Sequence, residues 1–207
     1  MGEQAASINL PIGGDRILTA QRGCGSGSKK RRRLPPAGEI RPARAARDAP
    51  GAIPFARQAI VLDSQFWIGY YQLGQAYEQT GDTDRALEAL DSAARLSNNN
   101  SKAISLRGYL WARTGKAEAA RDVLTTLEAV SRERYVPPYA IALVHAGLGE
   151  REPVFAWLDK AYAAHDVHLA LLPVDPKWDP YRADPRFAAL LTRCGFMKTA
   201  TTAPPQR

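Results

Sequence analysis

The sequence predicts an all-α fold, a stack of antiparallel helix pairs closed by a capping helix at the carboxyl end. Three observations carry this. Gly81, Gly115 and Gly149 recur every 34 residues, as do Leu90, Leu124 and Leu158, with Ala86 followed by Ala120 and Gly74 by Gly108 at the same interval. Small and large apolar residues alternate at helical spacing within each interval, the pattern of two helices folded on each other. Composition then changes abruptly near Ala52 and again after residue 164, which bounds the repeated region.

Residues 1–53 predict a disordered arm. Through Pro54 there is no aromatic residue, and Gly and Pro account for 14 of 54 positions, so little apolar surface offsets the entropy of ordering. The arm also explains the basic balance. The chain of 207 residues has a formal charge of +7, but residues 1–50 hold ten Lys/Arg against four Asp/Glu and the remainder eighteen against seventeen. Lys29, Lys30, Arg31, Arg32 and Arg33 form one run. They read either as a solvated charge run or as a phosphate-binding arm or import tag, and without interleaved aromatics any nucleic-acid contact is backbone electrostatics.

Residues 54–164 predict the array, a half repeat followed by units at 67–100, 101–134 and 135–168. The half repeat, "FARQAIVLDS", matches only a second helix, with Ala59 lying 34 residues before Ala93. In the first full unit Gly74, Ala86 and Ala93 let two helices approach, while Tyr70, Leu73, Tyr77 and Leu90 fill the space between them. Gly81 suits a left-handed helix end, with Asp82 or Thr83 capping the next helix, and Gly115 and Gly149 repeat the device. Pro153 falls in a first turn, where its missing N–H costs little.

The order Tyr70-x2-Leu73-Gly74-x2-Tyr77, Ala86-x3-Leu90, Ala93 resembles the tetratricopeptide repeat (TPR). The second unit keeps Ile104, Gly108, Trp111, Ala120 and Leu124 but carries Arg107 where Leu is expected. The third departs further, with Pro138, Ala142, His145 and Val154 at signature places. The resemblance covers about half the chain and implies a right-handed superhelix that binds protein segments.

It also implies a groove lined by the first helix of each pair. On this register Tyr71, Gln75, Lys102, Tyr109, Arg113 and Tyr139 are the candidate partner-binding residues, rigid rings supplying area and polar groups supplying orientation. Some of these tyrosines also have the alternative of packing against a neighbouring repeat or the cap. Tyr71 and Gln75 occupy the places of the first Lys and Asn in the carboxylate clamp of chaperone-tail TPRs, which argues against that ligand.

Residues 165–197 predict the cap. Asp184 and Pro185 read as an N-cap and first helical residue, and Phe187, Leu190 and Leu191 as one stripe of a final helix. Its wording, with repeated Asp-Pro steps, is similar to the carboxyl ends of TPR regions in bacterial multidomain regulators, winged-helix transcription regulators and Ser/Thr kinases among them. The implied setting is a detached sensor region of a signalling protein. Residues 198–207 predict a disordered tail.

No residue pattern supports catalysis: Gly-rich phosphate loops, GxSxG and HExxH are absent. His165 and His168 with Asp166 form the one local metal-capable cluster, with Asp175 as a distant third ligand, and read instead as a solvent-facing helix end. His145 reads as a satisfied core histidine. Hence no enzyme, cofactor or metal is expected. Cys24 and Cys194 are too few for a disulfide framework. No apolar run reaches the roughly 18 residues of a membrane span and no leader pattern opens the chain, so the expected address is the cytoplasm.

Overall fold

A computed structural model describes residues 49–197. Eight α-helices appear among them: α1 (Ala49–Leu62), α2 (Trp67–Thr80), α3 (Thr83–Leu96), α4 (Ser101–Arg113), α5 (Ala117–Ser131), α6 (Pro138–Leu148), α7 (Arg151–Ala163) and α8 (Pro185–Arg193). Between the last two lie 3-10 helices η1 (Val167–Leu171) and η2 (Pro176–Tyr181). No strand occurs among the described residues. The array is a TPR-like solenoid. α2, α4 and α6 are the first helices of three pairs completed by α3, α5 and α7; each second helix packs on the next first helix, and α2, α4 and α6 stack in turn.

Sequence dictates the turns. α2 ends on Gly81 (φ 81°), whose N–H and that of Asp82 return to the carbonyls of Glu78 and Tyr77. Gly115 (φ 81°) and Gly149 (φ 75°) repeat the arrangement after α4 and α6, a backbone region that penalises any Cβ. Asp82 accepts from the Arg85 N–H to cap α3. The 97–100 turn solves the same problem without glycine, Asn98 and Asn99 taking φ of 52° and 56°, which asparagine tolerates best among larger residues.

Close approach explains the small residues. A Cβ on Gly74 would lie 2.8 Å from Leu90, and one on Gly108 would lie 2.9 Å from Val123, so both glycines set the spacing within a pair. Ala86, Leu90 and Ala93 are fully buried behind them. Arg107, standing where the repeat expects Leu, lays its guanidinium 4.8 Å over the Trp111 ring and pairs with Asp91 at 2.7 Å, so the stem packs and the charge reaches the surface.

Two expectations need adjusting. Helix α1 begins at Ala49, five residues inside the predicted arm, because Pro50 is tolerated in a first turn and alanines follow it. The cluster of His165, Asp166 and His168 is not a solvent-facing helix end: Asp166 is buried and His168 half-buried, and of the three only His165, at φ 52°, is exposed. Elsewhere the exposed apolar residues concentrate on α1, where Phe55, Val61 and Leu62 are 75%, 84% and 81% exposed. At the opposite end Phe187, Leu190 and Leu191 of α8 are buried against α7. The candidate nucleic-acid residues Lys29, Lys30, Arg31, Arg32 and Arg33, and the 198–207 tail, lie outside the described residues.

Candidate functional site

The first helices α2, α4 and α6 share one face, and the segment η1–η2 lies against it. Three aspartates anchor that segment at intervals of nine residues. Asp166, Asp175 and Asp184 accept the N–H of His168, Lys177 and Arg186 respectively, each opening a short helix. Asp166 does a second job. α6 starts at Pro137 and Pro138, which offer no capping side chain, and Asp166 Oδ2 instead accepts the Tyr139 N–H at 3.1 Å from 27 residues away.

The ring cluster at this junction is dense. Trp178 is fully buried, sits edge-on to Tyr139 with centroids 5.3 Å apart, and donates its indole N–H to the Tyr139 hydroxyl at 2.9 Å. His168 stacks on Tyr139 with centroids 5.7 Å apart. Tyr181 donates its hydroxyl to the Ala146 carbonyl at 3.2 Å and meets Phe155 edge-on. Burial pushes the Tyr139 hydroxyl well above its ordinary pKa, with the Asp175 charge adding to it, so it is neutral and available as an acceptor.

Charges are buried beside the rings. Lys177, 4% exposed, places Nζ 3.1 Å from Asp175 Oδ1 and 3.3 Å from Glu78 Oε2 on α2. Burial raises the Glu78 pKa and Lys177 works against it. For Asp166 burial pushes upward too, but hydrogen bonds from the His168 ring and backbone and from the Tyr139 N–H outweigh it and hold the carboxyl below its ordinary value.

Four of the six predicted partner-binding residues come together. Tyr71, Gln75, Lys102 and Tyr139 line one narrow slot of about 20 Å³, with Ser105, His168, Asp175 and Lys177 completing its polar lining. The slot opens into a trough of about 490 Å³ between α1, α2 and η1, which shares Tyr71, Gln75, Lys102 and His168 and adds Gln72, Gln79 and Val174. Tyr109 and Arg113 are elsewhere. Tyr109 lies in a separate hollow with Glu78 and Lys177, its hydroxyl pushed up to about 12 by burial and the Glu78 charge. Arg113 is exposed and lines neither cavity, though its charge reaches Glu78 and Tyr181.

Sequence reasoning missed His168, Asp166, Asp175 and Lys177 as parts of this site. Their signal was the recurring Asp followed two residues later by a basic side chain, readable as three caps once η1 and η2 are seen. His145, by contrast, pairs its Nδ1 with Glu150 Oε2 at 2.7 Å at the start of the next helix, away from the slot. Among the described residues no group of three or more His, Cys, Asp or Glu side chains is placed to hold a metal ion.

The fold and this face define a helix-pair solenoid with a lined inner trough. The tetratricopeptide repeat family model matches residues 67–100, the pair α2 and α3. That repeat is a protein-interaction scaffold and generally non-catalytic. Neither a curated protein nor a solved structure gives a match. No helix among the described residues is long and apolar enough to cross a membrane.

Proposed function

We propose that this protein is a non-catalytic interaction module that receives an extended segment of a partner protein in the trough between α1, α2 and η1. The setting we infer is a bacterial signalling or transcription-regulatory system in the cytoplasm. The observation that carries the reading is the unused polar lining of the trough. Among the described residues the side chains of Gln72, Gln75, Gln79 and Lys102 make no hydrogen bond or ion pair, while Ala76, Leu171 and Val174 supply apolar surface between them. Amides of this kind serve an extended backbone, whose N–H and C=O groups need partners at regular intervals.

The array's own cap restricts where that segment lies. Tyr139 and Trp178 are committed to one another, so the bound chain runs along the α2 side instead of across α6. A pull-down from source lysate with the full chain, beside a Gln72→Trp/Ala170→Trp variant that fills the trough, tests this. Capture of a partner by the wild type and its loss by the folded variant supports the reading; equal capture by both sinks it.

A second reading has its own observation, the five cations at Lys29, Lys30, Arg31, Arg32 and Arg33. Nucleic-acid binding through them, with the repeats recruiting a partner, predicts a fall of about 0.9 log units in affinity per log unit of salt for each phosphate neutralised. Deleting residues 1–48 must then abolish it.

A further inference from the structure

We propose that the outer face of α1 docks a second copy of this chain, the two α1 helices meeting face to face about a two-fold axis. It concerns the side of α1 turned away from the trough and does not depend on the trough reading. Pro54, Phe55, Gln58, Val61 and Leu62 are all exposed, with Phe55, Gln58 and Leu62 at the i, i+3 and i+7 places of one helix face. Three of the four most exposed large apolar side chains among the described residues are on it. The opposite face is committed to the array. Ala56 is buried, Ile53 packs on the core, and Ile60 lies 3.1 Å from where a Gly69 Cβ would stand on α2. Single exposed apolar residues are ordinary on a protein surface, whereas a stripe of them along one helix marks a contact surface.

The repeat explains why this face is bare. Ala59 lies 34 residues before Ala93, which makes α1 the second helix of a pair, and the same interval puts the first helix of that pair at residues 33–46. No such helix is encoded there. Pro36, Glu39, Ile40 and Ala43 stand where the next unit has Tyr70, Leu73, Gly74 and Tyr77, and Pro42 falls where the helix interior would be. α1 thus keeps a surface suited to a neighbouring helix and has no such neighbour in its own repeat.

The chemistry of the face favours another copy of itself. The sole charged side chain of α1, Arg57, donates to the Tyr77 hydroxyl at 2.6 Å and is not part of the stripe. Two such faces therefore meet without like charges opposed. Gln58 is central, midway between Phe55 and Leu62, and an amide carries both a donor and an acceptor, so across a two-fold axis it pairs with its own equivalent. In that antiparallel crossing Phe55 lies against Leu62 of the partner subunit. The far end of the stack offers no alternative partner, because α8 already covers α7 there. One helix face is smaller than the roughly 800 Å² per partner of a standard interface, so the association is weak and depends on concentration.

Sedimentation of the full chain from about 5 to 500 μM tests this. The average mass is expected to rise from that of one chain to that of two and to stop there, with half-association at roughly 10–100 μM. Raising the salt from about 0.1 to 0.5 M must not weaken it, since no charge is paired across the contact. Phe55→Lys and Leu62→Glu change exposed positions, so both are expected to keep the helicity of wild type by circular dichroism. Each alone is expected to stay monomeric across the range, and mixing the two variants is expected to restore a dimer by placing the new Lys opposite the new Glu. A dimer that persists in either variant, that dissolves in salt, or that does not return on mixing overturns the inference, as does growth beyond two copies. A wild-type chain that is monomeric throughout also overturns it and leaves the face to residues 1–48 or to a different protein.

Discussion

Trp178 and Tyr139 are 39 residues apart in the chain and joined by a 2.9 Å hydrogen bond beneath a fully buried indole. With the Asp166, Lys177 and Tyr181 contacts to Tyr139, Glu78 and Ala146, this bond fastens the carboxyl-terminal segment to the repeat array. Tyr139→Phe leaves the indole N–H unpaired and is expected to cost about 1–3 kcal/mol. Trp178→Ala empties the centre of the cluster and is expected to cost about 3–5 kcal/mol. Urea denaturation of both variants checks the order; equal stability of Trp178→Ala and wild type would show that the segment does not depend on the indole.

Lys177 sits between two carboxylates with almost no exposure. Lys177→Met strands those charges and should destabilise by about 3–5 kcal/mol at neutral pH, whereas Lys177→Met combined with Glu78→Gln should recover part of the loss. The pH dependence has a definite sign. Burial already raises the Glu78 pKa in the fold, and loss of Lys177 raises it further. The folded variant then holds a proton that the unfolded chain releases, so its stability falls as pH rises from the ordinary carboxylate range through the folded value. Thermal melts at pH 5 and pH 8 check this: the deficit must be larger at pH 8.

Asp166 behaves in the opposite sense. Its carboxyl is held below the ordinary value, so the stability it lends is fully present above the unfolded pKa of about 3.9 and is lost as pH falls through the folded value. Asp166→Asn should therefore be less stable than wild type at pH 7, and the two acid-unfolding curves should converge toward pH 2. A constant offset across the titration would remove Asp166 as the source.

Leu90 and Gly147 test the array itself. Leu90 is fully buried against Gly74, and Leu90→Ala should cost about 2–5 kcal/mol. A Cβ at Gly147 would fall 2.8 Å from the Tyr109 carbonyl oxygen, a backbone atom with little room to move. Gly147→Ala should thus cost about 1–3 kcal/mol by forcing α4 and α6 apart. Circular dichroism melts within a degree of wild type for either variant would refute the packing register.

The array was legible because its constraints are local and repeated. Gly81, Gly115 and Gly149 announce left-handed turns, Asp184 with Pro185 announces a helix start, and the 34-residue interval ties Leu90 to Leu124 and Leu158. The cap was legible only as a final helix. What encodes η1 and η2 is not periodic: Asp166 caps a helix 27 residues earlier, and Lys177 finds its second carboxylate 99 residues away on α2. Such pairings have no spacing signature. The same limit separated the candidate residues. Tyr71, Gln75, Lys102 and Tyr139 fall together because they share a register, but Tyr109 lines a separate hollow with Glu78 and Lys177, which no reading of α4 alone reveals.

The two ends of the stack are unlike. α8 lays Phe187, Leu190 and Leu191 over α7 and turns arginines outward, whereas α1 leaves Phe55, Val61 and Leu62 uncovered at the other end. A solenoid with both ends apolar could add copies in either direction and grow into a fibre. With α8 laid over α7, a further copy cannot stack on that face of α7. The cap thus acts on the population of molecules as well as on the single chain, converting an open-ended architecture into one with a terminus.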